Sequence, residues 1–317
     1  MTMKSHLLRR RIGRLDPRDR RMLFRDLHMM FRPRPESPII QFYSSNMNIG
    51  NYLPVAGIRK MAKTEPDAWC MHEPVDWDWV NSNYRAAIIG GAGLMDVGFS
   101  RFWSDCADRC QLPVTIWGVG LCLRDGDPRG SDRVAVQTVA AKADLVNVRD
   151  DLTADFYGLD DVDISACPTV AYLDGRRADG RLVAFSQHPG LVGDAEHREI
   201  VSDLEYAGHQ VVVTQNIQTR SQGVDDIIRD VYSKSRAVVT TRLHGAIIAY
   251  GLGLPYVAVA RDEKIRSFQR LYGGGIVVES GKDAVIAVDA LPSAGQQRDL
   301  GDVYAFGAIA SKWLREH

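Results

Sequence analysis

A chain of 317 residues is about twice the usual single-domain size and predicts two domains, while 45% hydrophobic and 25% charged residues are globular values that exclude disorder. A net charge of −1 excludes the cationic surface a nucleic-acid protein needs, and no apolar run reaches the ~18 residues of a membrane span. The five cysteines form no CxxC pair and the chain has no apolar leader segment, which together predict reduced thiols in a cytoplasmic protein.

In chain order, residues 1–37 form a basic arm, in which Arg9, Arg10, Arg11, Arg14, Arg18, Arg20, Arg21, Arg25, Arg32 and Arg34 face only Asp16, Asp19, Asp26 and Glu36. Such a run reads either as a solvated helix docked through Leu15, Met22, Leu23, Phe24 and Leu27, or as a surface for an anionic membrane face or polyanionic substrate. Beyond it, short apolar runs alternate with helical patterns, the signature of βαβ units and parallel sheets. Strands are predicted at Ile39–Tyr43, Ala86–Ile89, Val114–Trp117 and Leu145–Val148, then at Leu182–Phe185, Gln210–Val213, Ala237–Thr240 and Tyr256–Val259. The 3.6-residue periodicity predicts helices such as Tyr52–Lys63, Phe99–Cys110, Asp151–Tyr157, Glu196–Ala207, Val224–Ser233 and Leu243–Tyr250. An amphipathic last helix, Ala305–Glu316, is expected to pack back on the first domain. Pro168, Gly175 and Gly180 interrupt the pattern between the two strand-rich blocks, so the expected division is two Rossmann-like domains, 38–168 and 169–317, facing a cleft. Cys106 and Cys110 lie four apart on a predicted helix without a nearby histidine, and read as buried or free thiols rather than zinc ligands.

In open parallel sheets ligands bind beyond the carboxyl ends of the strands. The residues following each run are therefore the candidates: Ser44-Ser45-Asn46-Met47-Asn48-Ile49-Gly50-Asn51, Gly90-Gly91-Ala92-Gly93, Gly118-Val119-Gly120 and Arg149-Asp150. Glycine turns before helices let backbone N–H groups approach an anion, although packing in α/β folds demands such turns as well. Their spacing is not the GxGxxG of a dinucleotide site. The strongest local signal is Thr240-Thr241-Arg242-Leu243-His244-Gly245, where a buried strand runs directly into a helix. Arg242 offers a planar fork to phosphate or carboxylate, and the His244 imidazole titrates near neutrality. Taken alone His244 reads as a cap or interface residue, but beside Arg242 at a strand end it reads as part of a site. The helix dipole favours its neutral form until a bound dianion raises the pKa. Arg261 and Lys264 follow the next strand, so with Arg149 from the other half several cations are expected to converge on one cleft, as suits a small polyanion. His188, Gln215 and Trp77 carry no signal separating them from ordinary polar or aromatic residues.

These segments, in this order, resemble the polysaccharide pyruvyl transferase family. The matching pieces are Asn48-Ile49-Gly50-Asn51, the Gly90–Leu94 turn, Gly118-Val119-Gly120, Val148-Arg149-Asp150, Cys167-Pro168-Thr169 and Thr241-Arg242-Leu243-His244 through Gly253-Leu254-Pro255 to Lys264. The resemblance implies a two-Rossmann, GT-B-like architecture and transfer of the enolpyruvyl unit of phosphoenolpyruvate to two sugar hydroxyls as a ketal. It implies that Arg149 and Arg242 bind the donor's phosphate and carboxylate and that His244 is the acid–base group. Asn48, Gly50, Asn51, Gly91, Gly93, Gly120, Leu243, Arg261 and Lys264 would line the substrate site. The family often has Asp where this chain has Asn51, an amide that is no base. Neither metal nor organic cofactor is implied, as no HExxH pattern or carboxylate cluster of ligand type is present. The acceptor is expected to be a lipid-linked saccharide of surface-polysaccharide synthesis, met at the inner face of the membrane, which the basic arm would fit. The rival readings are a GT-B-type sugar-nucleotide glycosyltransferase, and a catalytically silent binding protein whose role survives Arg242→Ala and His244→Ala.

Overall fold

The computed structural model, described for residues 35–317 except 45–46, 125–126, 189, 191, 220 and 293–297, contains two all-parallel sheets. The arginine-rich arm up to Arg34 and the side chain of Cys122 lie outside the described residues.

The first sheet contains β1 (Ile39–Tyr43), β2 (Asp67–Cys70), β3 (Ala86–Gly90) and β4 (Val114–Val119); after an antiparallel hairpin of β5 (Cys122–Arg124) and β6 (Asp127–Arg129) it continues with β7 (Leu145–Val148) and β8 (Asp163–Ile164). Its strand order is β2-β1-β3-β4-β7-β8. Strands β1, β3 and β4 are buried along their whole length, since helices cover both faces of the sheet. Those helices are α1 (Ile49–Ala62), α2 (Trp77–Asn83), α3 (Ser100–Arg109), α4 (Arg133–Lys142), α5 (Asp151–Tyr157) and the short α6 (Thr169–Leu173). The second sheet has β9 (Leu182–Ser186), β10 (Val211–Thr214), β11 (Ser235–Thr240), β12 (Tyr256–Val259) and β13 (Gly275–Val278), in the order β10-β9-β11-β12-β13. It is flanked by α7 (Asp194–Tyr206), α8 (Val224–Ile227, continued as a π-helical turn to Tyr232), α9 (Leu243–Leu252), α10 (Glu263–Tyr272) and α11 (Gly281–Asp289), and the chain closes with α12 (Gly301–Glu316).

All eight predicted strands form, with ends shifted by up to two residues. Strands β2, β8 and β13 carried no sequence signal because they are short sheet edges, and β13 is only half-buried. Helix α1 starts three residues before the predicted Tyr52, because the Asn48 side chain accepts from Gly50 N at 3.0 Å and caps it.

In each sheet the strand order reverses once, between β1 and β3 and between β9 and β11. The turns leaving those strands splay apart there and open a crevice. The two crevices are held face to face. Ile49 N donates to Asn216 O at 2.9 Å and Gln218 N to Met47 O at 2.7 Å, with a bridge between Asn48 and Ile217. Behind this clasp one apolar cluster runs through α1, α6, α9 and the inward faces of both sheets. Helix α12 joins it by lying on α1: Phe306 meets Trp117 edge-on at 5.5 Å, and Trp313 Nε1 donates to Asp144 at 3.2 Å.

Candidate active site

The segment from β11 into α9 builds one wall. Thr240 Oγ1 accepts from Arg242 N at 2.9 Å, fixing the turn in which Arg242 stands at the helix cap position. Arg242 Nε then donates to Gln187 O at 2.7 Å, so the guanidinium is gripped by the two turns that flank the β9–β11 reversal. It is only 7% exposed, and among the described residues no carboxylate pairs with it. Burial pulls its pKa down, the expected response of a cation removed from water without a counter-ion.

His244 lies in the first turn of α9, half-buried, with its ring against the backbone of Gly50. A Cβ on Gly50 would fall 2.5 Å from His244 Nδ1, so only glycine allows this approach. Nε2 of His244 is shielded from solvent and has no hydrogen-bond partner among the described residues. Desolvation holds the imidazole pKa well below its ordinary value, and the positive charges of Arg149, Arg242 and Lys264 push it further the same way. Both effects favour the neutral ring.

The opposite wall supplies Arg149, 4% exposed at the end of β7. Its Nε pairs with Asp150 Oδ2 at 3.1 Å and its Nη2 donates to Leu121 O at 3.1 Å. Gly120 makes room for it, since a Cβ there would lie 2.1 Å from Arg149 Nε. Asp150 Oδ1 also caps α5 by accepting from Thr153 N at 2.9 Å, which locks the arginine through its partner. The third cation, Lys264 on α10, pairs with Asp262 Oδ2 at 3.3 Å, while Asp262 Oδ1 caps α10 by accepting from Ile265 N.

Between the walls lies a cavity of about 320 Å³. Of the residues predicted from sequence, Asn48, Asn51, Gly93, Arg149, Arg242, Leu243, His244 and Lys264 line it. Gly50 and Gly120 stand behind His244 and Arg149 as spacers. Gly91 packs on Pro54 of α1 instead of reaching the cavity. Arg261 is not brought in: its guanidinium donates to Glu196 at 2.8 Å and to Glu279 O at 2.9 Å, on the side of the sheet facing α7. The next residue, Asp262, takes the place on the cavity wall that sequence reasoning gave to Arg261.

The cavity is also lined by Ser44 and Leu94, which lie in the stretches read as following strands but were not singled out, by His188, named without a distinguishing signal, and by His72, Asp96 and Phe99, which sequence reasoning missed. His188 follows β9 by two residues, so the strand-end rule extends to it. His72 follows the unpredicted β2 and had no such signal. Gln215 is exposed and outside the lining, and Trp77 is wholly buried against Phe42.

Residues 48–263 match the family model described as polysaccharide pyruvyl transferase, a span running from the cap of α1 to the start of α10. No curated protein matches the chain. Among solved structures, the UDP-GlcNAc 2-epimerase of Methanocaldococcus jannaschii is similar at a TM-score of 0.53 and 10% identity, over 88% of this chain and 98% of that one. A candidate UDP-N-acetylglucosamine 2-epimerase from Listeria monocytogenes gives 0.53 and 12%, over 87% and 96%. At these identities the likeness is one of fold, the GT-B arrangement of two facing α/β domains.

Proposed function

Because the chain belongs to the polysaccharide pyruvyl transferase family, we propose that it forms a pyruvate ketal on a sugar of a surface-polysaccharide intermediate, with phosphoenolpyruvate as donor. One observation carries this reading: a shielded, unpartnered His244 Nε2 stands among three cations, of which Arg242 has no carboxylate partner among the described residues. A compact polyanion with a proton-accepting carbon satisfies all of these groups at once.

Arg149 and Arg242, with Lys264, would hold the donor's phosphate and carboxylate. Their charges, which favour neutral His244, would then be offset by the donor, so the imidazole gains its proton when the substrate to be protonated is present. His244 delivers that proton to the methylene carbon, positive charge develops at the carbon bearing the phosphate, and a sugar hydroxyl attacks there. A general acid so placed contributes ~10²–10⁴-fold. No metal ion or organic cofactor enters this scheme. The acceptor is proposed to be lipid-linked, met at the inner membrane face through the basic arm.

The test is thermal stabilisation. At ~100 times its dissociation constant phosphoenolpyruvate adds ~2.7 kcal/mol, seen as a rise in melting temperature. The expected result is stabilisation of the wild type by phosphoenolpyruvate and none of Arg242→Ala, with UDP and GDP without effect. Stabilisation by a nucleoside diphosphate alone would instead identify a sugar-nucleotide glycosyltransferase.

A further inference from the structure

Ketal formation removes a proton from each of two acceptor hydroxyls. One replaces the proton His244 gives to the donor's methylene carbon; the other must leave the reacting oxygen by a second route before it reaches the departing phosphate. Asn51 is an amide and cannot take it. The side of the cavity that Ser44 and Asn51 line, however, carries a hydrogen-bonded chain. Asn51 Nδ2 donates to Ser44 Oγ at 3.2 Å, and Ser44 Oγ is hydrogen-bonded to His72 Nε2 at 3.1 Å. Ser44 is 4% exposed, so its hydroxyl is screened from bulk water between these neighbours. His72 is exposed on its outer side and its ring lies 4.7 Å from that of Phe99, giving the cavity an apolar edge beside the polar chain. All four residues line the cavity that contains His244.

Resting on the donor reading above, we infer that this wall is the acceptor half-site and that Ser44 and His72 form the relay that removes the acceptor's proton. The sugar sits against Phe99 and His72, with one hydroxyl at Ser44 Oγ. As that oxygen attacks the carbon bearing the phosphate, its proton passes to Ser44 Oγ and the serine proton passes to His72 Nε2. Asn51 keeps the Ser44 lone pair aimed by donating to it. When the phosphate leaves, the proton on His72 is lost to it through solvent, and the second hydroxyl attacks with its proton passing to His244. The bonds balance: two C–O bonds, one C–H bond and one O–H bond on phosphate form, while one C–O bond, the C=C π bond and the two acceptor O–H bonds break, with no redox change. A second groove of about 150 Å³ continues past His72 between Glu73, Arg101 and Asp105. It places the next sugar of an acceptor longer than one residue beyond the relay.

The experiment uses the full chain and a panel of methyl and p-nitrophenyl hexopyranosides as acceptor probes, reading glycoside-dependent phosphate release from phosphoenolpyruvate in wild type, His72→Gln and Ser44→Ala. Thermal stabilisation by phosphoenolpyruvate is read in parallel on each. The expected result is a fall of ~10²–10⁴-fold in turnover for both variants, with the donor's stabilisation unchanged and glycoside binding by saturation-transfer NMR retained. Wild-type turnover in the variants, or loss of the donor's stabilisation together with turnover, overturns the relay. Absence of any glycoside-dependent release from the wild type, while phosphoenolpyruvate still stabilises it, overturns the assignment of this wall to a sugar hydroxyl. If phosphoenolpyruvate fails to stabilise the wild type, it is the donor reading that fails.

Discussion

Gly50 stands behind the cavity lining, yet it sets where His244 can stand: a Cβ there would lie 2.5 Å from the imidazole. Gly50→Ala is expected to cost about 1–3 kcal/mol by overpacking. Its larger effect is on geometry, since a displacement near 1 Å can lower a rate about 100-fold. On the proposed donor reading, we expect phosphate release from phosphoenolpyruvate to fall by about that factor while phosphoenolpyruvate, with Arg149, Arg242 and Lys264 intact, still raises the melting temperature. Loss of both together would mean that the helix, not the histidine, had moved. Arg242 and His244 were legible in the sequence because two residues of one turn share a strand end. Arg261 was misread for a related reason: consecutive residues leaving a strand point to different sides, and the sequence did not say which side Glu196 would occupy. His72 was not legible, being brought to the site by a short edge strand.

At the scale of the element, α7 carries a second histidine with a different role. His197 is 3% exposed, stacks edge-on against Phe185 at 5.7 Å, and has neither ring nitrogen hydrogen-bonded among the described residues. Burial lowers its pKa below the ordinary 6.5, with Asp194 and Glu196 opposing. The sign follows from linkage. Above 6.5 both folded and unfolded chains hold the ring neutral; below it the unfolded chain takes up a proton the folded state resists, so stability falls as pH drops towards the lowered folded value. His244, shifted in the same direction, adds to the slope. His197→Phe is therefore expected to reduce the stability difference between about pH 7.5 and about pH 5.5 measured by urea unfolding. An unchanged difference would show that the ring is protonated without cost. Long periodic helices and buried strands were readable from sequence because their side chains repeat with the geometry of the element. The edge strands β2 and β13, and the short α6 wedged between the domains, were not, since a few residues give no period.

For the whole molecule, the decisive feature is the apolar cluster that passes through α1, α6 and α9 into both sheets. Gly57 lets α1 close on the α6 entry, where a Cβ would stand 1.9 Å from Pro168 O. The backbone clasp at Asn48 and Ile217 and the α12 contact with α1 add to the same joint. Two sheets sharing one core should unfold together. Calorimetry is expected to show one transition whose van't Hoff and calorimetric enthalpies agree, whereas two resolved transitions would mean that the sheets hold independent cores.

By itself the sequence determined the alternation of strands and helices, the parallel character of both sheets and the Arg242–His244 turn, because these depend on residues near one another in the chain. Only the tertiary structure decided that Arg242 has no carboxylate among its described neighbours, that Arg149 and Lys264 each have one, that Arg261 leaves the cavity, and that Ser44 and His72 meet in the cavity His244 lines. Burial and charge pairing arise between segments far apart in sequence, and they are what set the protonation state of the site.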